Sequence, residues 1–231
     1  MITSKMKLDV VIPAAGVGKR MNAGFPKQYL KLGNQTILER TVSVFMDMKD
    51  VVDNIIIVVS RDDDRFREFG FEKNSCVKVC IGGTERINSV LNGLHCAESE
   101  YVLVHDAARP CVLPDDIRRL ISAGCNDNGA ILVSRVADTM KRTDENNSII
   151  STVSREHLFH ALTPQLFKRK LLIDAYENAV SSGIVLTDEA SAMESAGFSP
   201  KAVIGEASNI KVTEPFDMKL AEFFLKLNNR W

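Results

Sequence analysis

Aliphatic runs of strand length alternate with segments of helical period along most of this chain, and that alternation limits it to a mostly parallel sheet covered by helices on both faces. The runs are Leu8–Ile12, Asn54–Val59, Val77–Ile81, Tyr101–His105, Ala130–Val136 and Lys201–Ile204. Between them, Thr36-Ile37-Leu38-Glu39 reads as a capping box opening a helix toward Met46. Ile87, Val90, Leu91 and Leu94 follow the i, i+3, i+4, i+7 spacing of an apolar helical stripe. Ile117, Leu120, Ile121 and Gly124 continue it, behind Asp115 and Asp116 in a favourable first turn. A last stripe, Leu220, Phe223, Phe224 and Leu227, follows a start signal at Thr213 and Pro215. All these stripes are read as core. With 231 residues, 45% apolar and 26% charged, the chain has material for one sizeable core, and residues 1–231 are read as a single α/β domain.

Residues 137–163 break the pattern. Thr139–Arg142 and Ile149–Val153 are short strand-like pieces around Thr143-Asp144-Glu145-Asn146-Asn147, a hairpin signal inserted into an alternating chain. The expectation is a projecting β-arm that pairs with a partner chain; a surface hairpin folded back on its own domain is the alternative.

Composition excludes several partners. A net charge of −1 leaves no basic excess to bind nucleic acid through its phosphates. The longest aliphatic run, Ile55–Val59, is far too short to span a bilayer, and Met1–Asp9 lacks a signal-peptide core. Five cysteines without a Cys-x-x-Cys pair suggest neither a disulfide framework nor a zinc site. A cytoplasmic protein with reduced thiols is expected.

Chemistry concentrates where strands end, because ligands of open α/β sheets gather at the carboxyl ends of the strands. Val10-Val11-Ile12-Pro13 runs into Ala14-Ala15-Gly16-Val17-Gly18-Lys19-Arg20, followed by Pro26-Lys27-Gln28. Pro13 has no N–H to donate and ends the strand. Ala14, Ala15, Gly16 and Gly18 let backbone N–H groups approach an anion closely. It is not a Walker A loop, since Pro13 stands five before Gly18 and no hydroxyl follows Lys19. It is not a dinucleotide fingerprint either, because Met21 occupies the third glycine's position. What remains is a loop whose Lys19, Arg20 and Lys27 can surround a polyphosphate, the equipment of a nucleotidyltransferase. An ordinary strand–turn–helix with a solvated basic edge fits the loop alone equally well.

Gly82-Gly83-Thr84-Glu85-Arg86, with Ser89, closes a second strand, and its glycines permit backbone contact with a flat ligand such as a base. A plain connector has the same form. His105-Asp106-Ala107-Ala108-Arg109 sets a carboxylate and a guanidinium directly after a strand. Asp106 is a candidate Mg²⁺ ligand, since magnesium takes one or two carboxylates and completes its shell with phosphates and water. The competing reading is an Asp106–Arg109 salt bridge in a turn. His105 is read as structural. Arg155, Thr187 and Lys211 carry no signal alone, and Asp188 or Thr187 can simply cap a helix through Met193.

Taken together, Pro-Ala-Ala-Gly-x-Gly-x-Arg-Met with Pro-Lys-Gln-Tyr, Gly-Gly-x-x-Arg-x-x-Ser, Val-His-Asp-Ala-Ala-Arg-Pro, Asp-Thr-Met-Lys, Arg155 before His-Ala-Leu-Thr-Pro-Gln, Thr-Asp-Glu-Ala-Ser and Asn-Ile-Lys-Val-Thr resemble the 2-C-methyl-D-erythritol 4-phosphate cytidylyltransferases, in order from Val10 to about Phe224. The resemblance implies a Rossmann-like nucleotidyltransferase domain, a homodimer with interlocked β-arms, and CTP with Mg²⁺ or another divalent cation. It assigns Ala14, Ala15, Gly16, Gly18, Gly82, Gly83, Thr84, Arg86, Ser89 and Ala107 to CTP, and Arg20 and Lys27 to charge on the transition state. Asp106, Arg109, Thr139, Thr187 and Lys211 fall around the sugar phosphate, Asp106 also near the metal. Arg155 matches an arm residue that reaches the partner's site, and with Lys211 it would hold the attacking phosphate. Thr84 stands where relatives often carry Asp, which matters only if that side chain meets the base. A ribitol 5-phosphate cytidylyltransferase and a catalytically inactive nucleotide-binding protein are the rival readings.

Overall fold

Side chains alternate between the two faces of a strand, and in this chain both faces are apolar, so the sheet must be buried on each side. The computed structural model describes residues 7–16 and 26–231. Its strands are β1 (Leu8–Pro13), β2 (Lys31–Leu32), β3 (Gln35–Thr36), β4 (Val52–Val59), β5 (Val77–Ile81), β6 (Tyr101–Val104), β7 (Ala130–Arg135), β8 (Met140–Thr143), β9 (Ile149–Val153), β10 (Phe159–Lys168) and β11 (Lys201–Ile204). The helices are α1 (Ile37–Met46), α2 (Arg86–Cys96), α3 (Pro114–Gly124), α4 (Arg169–Ser181), α5 (Glu189–Ser195) and α6 (Pro215–Leu227). Seven strands form one sheet in the order β11-β7-β10-β6-β1-β4-β5. β1 pairs in parallel with both β4 and β6, while β10 runs antiparallel to β6 and β7.

The two faces divide the core. Val10, Ile12, Ile55, Ile57 and Leu103 pack with Leu38, Val42 and Phe45 of α1 and with Ile117, Leu120 and Ile121 of α3. Their sequence neighbours Val11, Ile56, Val58, Val102 and Val104 pack the other way, against Val90 and Leu94 of α2, Leu172 and Tyr176 of α4, and Met193 of α5. The capping box at Thr36 is present: its hydroxyl accepts from the Glu39 amide and Glu39 accepts from the Thr36 amide.

Three features differ from the sequence expectation. The sequence expectation includes neither β10 nor α4: His160, Pro164 and Gln165 interrupt the apolar run of β10, and α4, although Leu172, Ala175, Tyr176 and Ala179 follow helical spacing, has no side-chain cap at its start. The Thr163–Pro164 peptide there is cis, and the pairing of β10 with β7 shifts register between Ala161 and Gln165. Residues 137–163 therefore do not form one insertion. The separate hairpin is β8–β9, whereas 159–163 belongs to the main sheet. The stripe of α6 is also displaced. Phe223 and Leu227 are 59% and 64% exposed, and the helix buries Ala221 and Leu225 against Leu32, Ile37, Cys111 and Val212. A surface helix touches this small cluster along one narrow seam, so only part of its apolar repeat is covered.

Candidate active site

Strand order reverses at β1, where β4 lies on one side and β6 on the other, and the carboxyl ends flanking such a switch point leave a crevice. The loops after β1, β5 and β6 meet there around a cavity of about 260 Å³. Its walls include Ala14, Ala15 and Gly16 from the first loop, Gly83, Thr84, Arg86 and Ser89 from the second, and Asp106 and Ala107 from the third. Lys27 and Lys211 arrive from two further stretches.

Each wall is held by identifiable contacts. Ala14 donates its N–H to the Val58 carbonyl at 2.7 Å, and the buried Gln28 amide donates to the Ala14 carbonyl at 2.5 Å. This pins the first loop at its base, while a side chain at Gly16 would meet nothing within 4 Å. At Gly82 the opposite holds: a Cβ would stand 2.7 Å from Ser89 Oγ and 2.9 Å from Ala15 Cβ, so only glycine lets the two loops lie together. Ser89 Oγ accepts from the Gly83 amide at 3.2 Å, which fastens the glycine turn to the start of α2. Lys27 donates to the Val212 carbonyl at 2.7 Å, and Val212 donates its own N–H to Ala108, so residues 209–213 are fixed beside the β6 loop.

Asp106 is the electrostatic centre. It is 7% exposed, and three cations surround its carboxylate: Lys211 at 2.9 Å, Arg109 at 3.2 Å and Arg86 at 3.5 Å. Burial works to raise its pKa, but Lys211, Arg86 and Arg109 overcome that and hold it well below the usual carboxylate range. The Asp106–Arg109 salt bridge is thus present within the cleft and does not compete with it. Arg86 also binds Glu189, a fully buried carboxylate that accepts from the Tyr176 hydroxyl at 3.0 Å. The Glu189 charge raises the Arg86 pKa despite burial, so this guanidinium is a fixed cation.

His105 is structural, as its surroundings explain. Its Nε2 faces the Arg109 carbonyl at 3.0 Å, an oxygen that only accepts, so the proton sits on Nε2. Nδ1 then accepts from the Thr163 hydroxyl at 3.1 Å, and Thr163 in turn accepts from the Asp106 amide at 3.0 Å. Complete burial lowers the His105 pKa to about 4, so the ring is neutral and orients the Asp106 backbone.

Several anticipated residues stand elsewhere. Gly18 and Arg20 lie outside the described residues. Arg109 does not line the cavity but grips Asp106 from behind and donates to the Asn209 carbonyl at 2.7 Å. Thr139 and Arg155 are exposed at the hairpin, where Arg155 donates to the Ala137 carbonyl. Thr187 is exposed before Asp188, which caps α5. A single chain therefore does not bring Thr139, Arg155 and Thr187 to the cavity. Gln28, Thr163 and Glu189 are supports that carry no local signal, since each acts on a residue distant in sequence. Among the described residues there is no cluster of three or more His, Cys, Asp or Glu, and no helix long and apolar enough to cross a membrane.

Comparison with known proteins gives a consistent picture. A family model described as 2-C-methyl-D-erythritol 4-phosphate cytidylyltransferase matches residues 8–227. A protein of that name from Tolumonas auensis is 48% identical over 217 residues, 94% of this chain and 95% of its own. Another from Escherichia coli K12 is 47% identical over 228 residues, 97% of this chain and 96% of its own. Among solved structures, the enzyme of that name from Thermus thermophilus superposes with a TM-score of 0.81 at 31% identity, covering 96% of this chain and all of that one. The Francisella tularensis structure gives 0.80 at 34% identity, covering 95% of this chain and all of that one.

Proposed function

The chain belongs to the 2-C-methyl-D-erythritol 4-phosphate cytidylyltransferase family, and from that premise we propose how its cleft carries out the reaction. The enzyme transfers the CMP moiety of CTP to 2-C-methyl-D-erythritol 4-phosphate, giving 4-diphosphocytidyl-2-C-methyl-D-erythritol and pyrophosphate in isoprenoid precursor synthesis. The names of its relatives support this substrate over ribitol 5-phosphate, and an active enzyme over an inactive binding protein. The observation that carries the site assignment is that Lys27, Asp106 and Lys211, from three separate stretches, line the same cavity as Ala14–Gly16.

CTP lies with its triphosphate over Ala14–Gly16 and its base toward Gly82, Gly83, Thr84, Arg86, Ser89 and Ala107, and the family motif assigns Gly18 to the same nucleotide. The small residues expose backbone donors, and the first turn of α2 adds the positive end of a helix dipole. The Thr84 hydroxyl stands 3.5 Å from the Asn88 side chain, so backbone contact with the base asks nothing of its departure from Asp. The attacking group is a phosphate oxygen of methylerythritol phosphate. A phosphate monoester has a second pKa near ~6 and is largely dianionic at neutral pH, so no general base is required. Lys211, fixed against Asp106, and Arg155 of the hairpin arm hold that phosphate in line with the α-phosphorus, while Arg109 steadies Asp106 from behind. Lys27 and Arg20 stabilise charge as it gathers on the α-phosphate.

Asp106 suits a divalent cation as one ionised oxygen donor at the cavity wall, the nucleotide phosphates and water completing the shell. A Mg²⁺ ion held by Asp106 would supply Lewis-acid stabilisation of the leaving pyrophosphate. The hairpin supplies the remaining contacts across a homodimer. Ile149 and Ile150 are 65% and 63% exposed on a two-stranded sheet of the kind that is marginal alone in water. A partner chain covers them, and Thr139 and Arg155 reach the partner's cleft, with Thr187 at its edge.

Pyrophosphate release with CTP and Mg²⁺ tests the reading, offering methylerythritol phosphate and ribitol 5-phosphate side by side. Release with the first alone is expected. Release with ribitol 5-phosphate alone moves the enzyme to that substrate, and release with neither overturns the assignment.

A further inference from the structure

β5 and α2 are joined by the glycine turn that walls the cavity, and Cys80, the last residue but one of β5, meets Cys96 at the far end of α2. Cys80 Sγ and Cys96 Sγ are 2.6 Å apart, closer than the ~3.5–4.0 Å of ordinary non-bonded heavy atoms. Bonding them requires that the two sulfurs close to about 2.05 Å. Cys80 is buried under α2 with its thiol donating to the Asn92 carbonyl at 3.4 Å, whereas Cys96 is exposed in the last turn of the helix. Cys76, Cys111 and Cys125 are free thiols for which no such sulfur contact exists among the described residues.

We propose that Cys80 and Cys96 are a redox pair that hydrogen peroxide converts to a reversible disulfide, tying the end of α2 to β5. The exposed Cys96 reacts first: its sulfur attacks one peroxide oxygen, the O–O bond breaks, and Cys96 becomes a sulfenic acid with loss of one water. The Cys80 sulfur then attacks the Cys96 sulfur, forming the S–S bond and expelling the second water. Two thiols lose two electrons and two protons, and one hydrogen peroxide is reduced to two waters. Burial pushes the Cys80 thiol up to about 12, so Cys80 is a poor first target and acts as the resolving group already in contact with its partner. The link closes a ring that contains Gly82, Gly83, Arg86 and Ser89, and it spares Cys96 from irreversible oxidation.

The test is hydrogen peroxide on the full chain, followed by alkylation of remaining thiols after denaturation, proteolysis without reductant, and mass spectrometry. The expected product is a Cys80–Cys96 peptide two hydrogens lighter than its parts, removed by dithiothreitol, with Cys76, Cys111 and Cys125 still alkylated. In Cys80→Ser, Cys96 should instead accumulate as sulfenic acid that a dimedone probe traps. Cys96 carried to sulfinic acid or linked between chains in the unmodified protein, with Cys80 still alkylated, overturns the proposal. So does a dimedone signal equal in the unmodified protein and Cys80→Ser, and the unmodified chain gives its answer whether or not that variant folds.

Discussion

Asp106 and Lys27 show how far a residue's role depends on what surrounds it. A carboxylate buried beside one cation is a structural salt bridge; beside three, it becomes the fixed centre that sets where each cation points. Lys27 is anchored by the Val212 carbonyl at the cavity wall, where the proposed reaction would develop charge on the transferring phosphate. Lys27→Ala should lower kcat by roughly 10²-fold or more while raising the KM for CTP far less. Steady-state kinetics decides it, and an unchanged kcat removes Lys27 from that role. His105 sets a pH limit. Its pKa falls from 6.5 to about 4 on folding, because burial disfavours the charged ring. Above pH 6.5 both states are neutral and its contribution is complete; below it the unfolded chain takes a proton that the folded one refuses. Stability should therefore fall as the pH drops from 6.5 toward 4, by about 2 kcal/mol at pH 5 relative to pH 7. Urea unfolding at the two pH values should show this difference shrink in His105→Gln.

At the scale of elements, α5 reaches the site without touching the cavity. Gln165 of β10 donates to the Asp188 carboxylate at 2.9 Å and accepts from the Ala190 amide at 2.8 Å, which seats the helix start. Glu189 then holds Arg86 against the β6 loop. Glu189→Gln keeps the shape and removes the charge. Arg86 should lose its fixed direction, raising the KM for CTP several-fold with a smaller change in kcat. A buried charge-assisted bond is lost as well, so stability should drop by about 1–3 kcal/mol. Nucleotide titration and thermal unfolding report the two effects separately, and an unaltered KM would leave Glu189 a purely structural residue. The hairpin β8–β9 is the opposite case, an element with little packing on its own chain.

For the whole molecule, the exposed hairpin and the absence of Arg155 from its own cavity are one observation. If the arm completes a partner's site, Arg155→Ala and Lys27→Ala subunits, each inactive alone, should recover part of the activity when mixed. One of the two sites in a hybrid dimer then carries both residues intact. Hybrids shown to form without any recovery would return the hairpin to an interface role alone.

Strand positions were legible because long aliphatic runs must be buried on both faces, and α1 and α5 announced themselves through Thr36 and Asp188 as caps. Ala14–Gly16, Gly82–Gly83 and Asp106 were legible because small residues and a carboxylate directly after strands point to the crevice side of any parallel sheet. The sequence by itself thus determined the layered fold, the end of the sheet where the cavity opens and, through its motifs, the family. Only the tertiary structure decided that β10 enters the sheet antiparallel between β6 and β7, since pairing direction depends on neighbours that no local pattern names. It alone joined Glu189 to Arg86, 103 residues away, and set Cys80 against Cys96. Such contacts arise when distant segments are packed together, and local periodicity carries no record of them.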